Sequence, residues 1–210
     1  MKTLVLQVAT PEVDEYFRYI KPINKDYARI YGYDYHVATE VSRDRHPSWG
    51  KIEHTINKLP YYDRIFVLDA DAFVNNRCRS LDSLSLTRPI NVCDNGPNGG
   101  ELANCGVLVF INTPITLELL NTWYKTAEGT DKMLHGFWEQ DIFNSLHNSG
   151  KDVPLDSRFS EHTQVFRYNV FNSWWLDISH DYKKEQFVQH IMARSIQEKV
   201  DIMKKYLNLQ

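Results

Sequence analysis

At 210 residues, with 42% hydrophobic and 13% aromatic content, the chain can bury a substantial core and is unlike a disordered polypeptide. Its net charge of −3 excludes a general electrostatic attraction to nucleic acid, so no nucleic-acid partner is expected. No run of 18 apolar residues occurs, so no transmembrane segment is expected.

In chain order, Leu4 to Ala9 reads as a first strand, and Thr10-Pro11-Glu12 turns into a helix over about 13–31, bent at Pro22 and stopped by Gly32. Tyr33 to Ala38 reads as a second strand. Ser48 is placed to cap a helix over about 49–59, which Pro60 ends. Ile65 to Leu68 forms a buried strand, followed by short apolar strands at 90–93 and 107–111. Asp94 to Gly100 carries the strongest loop signal. Pro114 opens a helix to about 127, and Phe137 to Asn148 reads as another, stopped near Gly150. Residues 160–180 read as irregular and aromatic. Residues 183–207 read as a final helix, with Ile196, Val200, Met203 and Leu207 on one face.

Strands alternating with helices predict an α/β fold with a single mixed, mostly parallel sheet flanked by helices. The chain reads as one domain over 1–210, with a nucleotide-binding part at 1–112 and an acceptor side plus C-terminal helix at 113–210. Cys78, Cys93 and Cys105 are an odd set without metal-site spacing, which predicts reduced thiols. With a first segment too strand-like for a signal peptide, they predict a cytoplasmic location.

Asp69 and Asp71 follow the 65–68 strand directly. Ligands in open α/β sheets sit beyond the carboxyl ends of strands, so this pair is placed where a divalent cation and a phosphorylated substrate could meet. With 16 aspartates in 210 residues, chance supplies about one Asp-x-Asp, so the strand context carries the reading. The alternative is a solvated turn whose aspartates cap backbone donors. Lys51 would neutralise charge on a diphosphate, or simply lie on a solvated helix face. Gly106, in Asn104-Cys105-Gly106, permits close approach of a ligand to backbone, or marks a tight start to a strand. Glu139-Gln140-Asp141 opens a helix. The helix dipole accounts for the acidic pair, whereas Gln140 could orient a sugar. His190 stands amid apolar residues, either as a hydrogen-bonded core residue or as the nitrogen partner that two carboxylates lack.

Four ordered blocks, Asn24 to Tyr35, Trp49-Gly50-Lys51 with Tyr62 to Asp71, Asn104-Cys105-Gly106 with Glu139-Gln140-Asp141, and Phe187 to His190, resemble GT-A-fold glycosyltransferases. They most resemble the galactosyl/mannosyltransferase family, with similarity also to the glycogenin-like family. The compact size is similar to glycosyltransferase domains of large DNA viruses, including chlorella viruses; a viral chain would work in the host cytoplasm. The resemblance implies a nucleotide-sugar donor, a UDP-sugar, with Mn²⁺ (or Mg²⁺) held by Asp69, Asp71 and His190, and a glycan or glycoprotein acceptor. It implies that Val8, Ala9 and Thr10 line the nucleotide site. Lys51, the Asp69-Ala70-Asp71 turn, Asn104 and Gly106 would contact the donor, with Gln140 under the anomeric carbon. It further implies retention of configuration, with Asp141 an alternative nucleophile. The family often has Asp where Glu139 stands. The acceptor is expected near the Asp94–Gly100 loop and residues 160–177, with Trp174 and Trp175 as stacking surfaces.

Two other readings remain. A haloacid-dehalogenase-like phosphatase also places Asp-x-Asp after an apolar strand, but Phe73 departs from its pattern, and that pattern usually opens near the N-terminus whereas a long stretch precedes Asp69 here. A non-catalytic carbohydrate- or protein-binding module would use the aromatics and leave Asp69 and Asp71 structural.

Overall fold

A computed structural model of the chain describes residues 1–96, 102–174 and 186–209. In order, β1 (Thr3–Val8), α1 (Asp14–Ile30), β2 (Asp34–Ala38), α2 (Gly50–Lys58), β3 (Arg64–Leu68) and β4 (Ala72–Val74) form the first part. Then come β5 (Ile90–Asp94), β6 (Ala103–Ile111), α3 (Pro114–Thr126), α4 (Glu139–Asn144), α5 (Ser157–His162), β7 (Thr163–Phe166), β8 (Ser173–Trp174), β9 (Val188–His190) and α6 (Ile196–Tyr206).

Six strands make the central sheet in the order β2-β1-β3-β6-β5-β7. Three of its pairings are parallel, while β6 runs antiparallel to both β3 and β5. Side chains alternate along each strand, so the sheet presents two apolar faces. Leu4, Leu6, Ile65, Val67, Leu108 and Phe110 pack with Trp49, Ile52, Leu119 and Trp123 of the α2–α3 side. Val5, Phe66, Leu68, Val107 and Val109 pack with Tyr27 and Ala28 of α1. β3 and most of β6 are buried on both faces, which is why their sequences are continuous apolar runs.

A second sheet of three short strands, β4-β9-β8, stands beside the first. The expected central sheet is present, and this smaller sheet is an addition to the single sheet that the sequence predicts. Pro22 lies in α1, which runs unbroken as one helix. The 107–111 strand begins earlier, at Ala103, because small residues continue the buried run.

Four expectations need correction. Ser48 does not cap α2: it lies in a single 3-10 turn, Pro47–Trp49, whose cap is the His46 side chain accepting from the Ser48 N–H. The 137–148 helix starts only at Glu139, and its last turn, Ser145–Ser149, is π-helical before left-handed Gly150. The 160–180 stretch is not simply irregular, since it holds part of α5, β7 and β8. The 183–207 helix begins at Ile196: Val188–His190 is a strand, and Ala193 at φ +55° breaks any continuation. Residues 97–100 of the predicted loop, and Trp175, lie outside the described residues.

Candidate active site

β3 ends in the middle of the central sheet, between β1 and β6. The Asp69 N–H donates to the Gly106 carbonyl at 2.8 Å, and the Ala72 N–H returns to the Asp69 carbonyl at 3.0 Å. Residues 69–72 are therefore a tight turn off the sheet edge. β4 then leaves the central sheet and pairs with β9, setting Ala72 opposite His190. The Ile191 N–H donates to the Asp71 carbonyl at 2.9 Å and locks that register.

A buried polar network holds the turn. Gln7 Nε2 donates to the Asp69 carbonyl at 3.0 Å, and Asn24 Nδ2 donates to the Ala72 carbonyl at 2.9 Å and to Gln7 Oε1 at 3.0 Å. Asn24 Oδ1 accepts from the Val74 N–H at 2.8 Å, and the Tyr35 hydroxyl donates to Gln7 Oε1 at 2.7 Å. Both amides are fully buried, so each unmet hydrogen bond would cost about 1–3 kcal/mol; satisfied, the network fixes the turn.

Asp69, Asp71 and His190 converge, each offering a ligand atom within 4.8 Å of the others. His190 Nε2 lies 3.1 Å from Asp71 Oδ1 and 3.8 Å from Asp69 Oδ2. Two carboxylates and one imidazole form a hard, oxygen-rich donor set suited to Mn²⁺ or Mg²⁺ rather than to a thiolate-seeking metal. His190 Nδ1 is buried, with no hydrogen-bond partner among the described residues. Gly106 has its own part here: a Cβ at that position would overlap the His190 imidazole, so the space left by glycine is filled by the ring.

Around these three stand two lysines. Lys51 of α2 is buried, which excludes the solvated-face alternative. Its Nζ reaches Asp69 Oδ1 at 2.5 Å, Glu139 Oε1 at 2.8 Å and the Cys105 carbonyl at 3.1 Å. Burial works against its charge, but the Asp69 and Glu139 carboxylates outweigh that and hold the ammonium above its ordinary pKa. Glu139, the more enclosed of the two acids, is pushed up by burial even though Lys51 pulls it down. Lys199 of α6 binds Asp71 Oδ2 at 2.7 Å. Burial opposes ionisation of Asp71, yet His190 and Lys199 together bring its carboxyl below the usual range. Burial first, then Asp71 and Asp69, push the nearby Tyr16 hydroxyl up.

The remaining predicted residues divide. Gln140 Oε1 accepts from the Cys105 N–H at 2.9 Å, so the start of α4 is clamped to β6 beside the Lys51 contact. Asp141 is engaged elsewhere: it accepts from the Phe137 N–H at 3.0 Å and pairs with Lys132 at 3.1 Å. Asn104 Oδ1 accepts from the Gly106 N–H at 3.0 Å and from Asn172 Nδ2 at 2.7 Å. Ala70 is half-buried in the turn. Trp138, just before α4, sits at φ +46°, a conformation that bulky residues adopt only under constraint and that clusters at functional sites. Its ring stacks on His46 with centroids 3.6 Å apart.

Ala9 borders a cavity of about 420 Å³ shared with Asp14, Phe17, Arg18, Val37 and Thr39. Thr10 borders a second of about 660 Å³, with Thr39, Glu40 and Arg43. Both open beyond the carboxyl ends of the parallel strands β1 and β2, where ligands of such sheets bind. Val8, half-buried, is the last residue of β1.

Three supporting residues escaped the sequence. Gln7 and Asn24 carried a signal, since each is a polar residue at a core position of an apolar pattern. Lys199 carried none.

No family model matches the sequence, and no curated protein matches it. Solved structures do. The chain is similar to a glycosyltransferase involved in glycosylation of the major capsid of PBCV-1 (TM-score 0.77, 17% identity, covering 98% of this chain and 100% of that one). It is also similar to the galactosyltransferase LgtC, solved with donor and acceptor sugar analogs (TM-score 0.54, 13% identity, 96% and 95% covered). A third is a Drosophila β1,4-galactosyltransferase 7 mutant in complex with manganese, UDP-Gal and xylobiose (TM-score 0.51, 13% identity, 95% and 74% covered). At these identities the likeness is one of fold: a glycosyltransferase-type α/β fold.

Proposed function

We propose that the chain is a metal-dependent glycosyltransferase that moves a hexose from a nucleotide-sugar, a UDP-sugar, to a hydroxyl of a glycan or glycoprotein acceptor. The observation that carries this reading is the convergence of Asp69, Asp71 and His190 on one point at the strand ends of a glycosyltransferase-type fold. One neighbour of that fold holds manganese and UDP-Gal, which supports the choice of cation and donor.

Asp69, Asp71 and His190 would hold Mn²⁺ or Mg²⁺, which when bound supplies Lewis-acid charge at a diphosphate. The chain's own residues do the rest. The two cavities bordered by Ala9 and by Thr10 receive the nucleoside. Lys51, fixed between Asp69 and Glu139, keeps a permanent positive charge against the donor without needing to reorganise. Gln140, held by the Cys105 N–H, presents a neutral amide toward the sugar. A neutral amide is a poor nucleophile, so it favours front-face transfer with retention over a covalent intermediate. Glu139 acts through Lys51 rather than on the sugar. The acceptor enters on the side of Asp94 and β7, described parts of the two segments expected to meet it, which the Tyr168 N–H joins by donating to Asp94 Oδ1 at 3.0 Å. Affiliation with the galactosyl/mannosyltransferase family, and likeness to the glycosyltransferase domains of large DNA viruses, are part of the same proposal.

Calorimetry with UDP tests it. Binding is expected with Mn²⁺ and is expected to vanish in EDTA and in Asp71→Asn, with slow UDP-sugar hydrolysis in the absence of acceptor. Equal UDP affinity with and without metal, or robust cleavage of an aryl phosphate, would overturn the reading.

A further inference from the structure

Both oxygens of Asp71 are already engaged by protein groups, Oδ1 by His190 Nε2 at 3.1 Å and Oδ2 by Lys199 Nζ at 2.7 Å. Asp69 likewise carries Lys51. Three carboxylates (Asp69, Asp71 and Glu139) thus face two ammonium groups, leaving a single net negative charge when His190 is neutral. A divalent cation alone would overshoot that balance, whereas a cation carrying phosphate oxygens would not.

The two lysines differ in freedom. Lys51 is enclosed between two carboxylates and a carbonyl. Lys199 stands on α6 with its ammonium 4.9 Å from the Tyr16 ring centre, and its side chain is 14% exposed. Its helix is anchored independently, by a Ser195–Glu198 capping box and by buried Val200, Ile202 and Met203 packed with residues of α1. The charge is therefore delivered from a fixed base.

We propose that Lys199 is a resident counter-ion of the carboxylate pair. It depresses the site's affinity for a free divalent cation, so that the cation is taken up together with an anionic phosphate ligand rather than alone. The inference rests on the metal reading above. The physical cause is repulsion between the ammonium and a doubly charged ion sharing one carboxylate, in surroundings that screen charge poorly. Phosphate oxygens relieve that repulsion by giving Lys199 a second anion.

Titration of the purified chain with Mn²⁺, followed by loss of the free-ion electron paramagnetic signal with and without UDP, tests this. The wild type is expected to bind Mn²⁺ weakly alone and about tenfold or more tightly with UDP. Lys199→Met keeps the apolar stem and removes the charge; it is expected to bind Mn²⁺ alone about tenfold more tightly than the wild type and to show a smaller gain from UDP. Lys199→Arg keeps the charge and should behave as the wild type. If the Met variant does not melt cooperatively, Lys199→Gln takes its place. A cooperatively folded neutral variant that binds Mn²⁺ alone no more tightly than the wild type overturns the counter-ion role while leaving the proposed function intact. Absence of Mn²⁺ binding to the wild type in both conditions overturns the metal reading and this inference together.

Discussion

An alanine at position 106 would compete for space with the His190 ring. Position 106 lies inside β6, where alanine has no backbone objection, so the effect isolates that one steric contact. Gly106→Ala is expected to cost about 1–3 kcal/mol of stability through overpacking and to displace the imidazole from Asp71. Adding His190→Ala should recover most of the stability, a non-additivity that marks direct contact. Thermal unfolding of the two single variants and the double variant measures it; additive losses would show that the ring and the strand do not press on each other. Asp69, Asp71 and His190 could be nominated from sequence because carboxylates beyond a buried strand and a lone imidazole are unusual residue types for their places. Lys199 could not. A lysine on the polar flank of a terminal helix looks like any solvated lysine, and its partner lies 128 residues away.

Elements with a long apolar run or a marked end were readable. α1, β3 and α3 fall within a residue or two of expectation, β3 as a continuous apolar run and the two helices through the proline and glycine signals at their ends. The small sheet did not, because β4, β8 and β9 are two or three residues each, too short for any alternation to register. For the same reason the Val188–His190 strand reads in the sequence as part of the helix after it. α6 itself is started by local chemistry: the Ser195 hydroxyl accepts from the Glu198 N–H, and Glu198 accepts from the Ser195 N–H. Ser195→Ala is expected to remove about 1 kcal/mol, lowering the melting temperature by about 2–4 °C in a chain of this size. If Lys199 depends on this helix start, the same variant should also tighten binding of Mn²⁺ alone; an unchanged melting temperature would mean that packing on α1, not the cap, begins the helix.

Across the whole molecule, buried titratable groups set a pH window. Burial pushes the Cys93 thiol up to about 12 and raises Cys105 well above its usual value. In the unfolded chain thiols ionise near pH 8.5, so stability is full below that and falls as pH climbs toward the folded value. Burial holds His147 and His46 below their ordinary pKa, so the unfolded chain takes their protons first and stability falls as pH drops below about 6.5. Asp71, depressed by His190 and Lys199 despite burial, adds a further loss only below about pH 4. Urea midpoints at about pH 5, 7.5 and 9.5 should peak at the middle value, with Cys93→Ala flattening the alkaline limb. A midpoint unchanged between 7.5 and 9.5 would mean the thiols do not contribute.

The pairing of β4 with β9 has a consequence for how the protein is made. The aspartates and their turn leave the ribosome early, whereas the imidazole arrives only after the later strands and helices have been synthesised. A nascent chain, or one clipped in between, would carry the strands of the central sheet yet lack the last of the three groups that converge at its rim. On the proposed function, incomplete copies would then be inactive by construction, with no separate safeguard required.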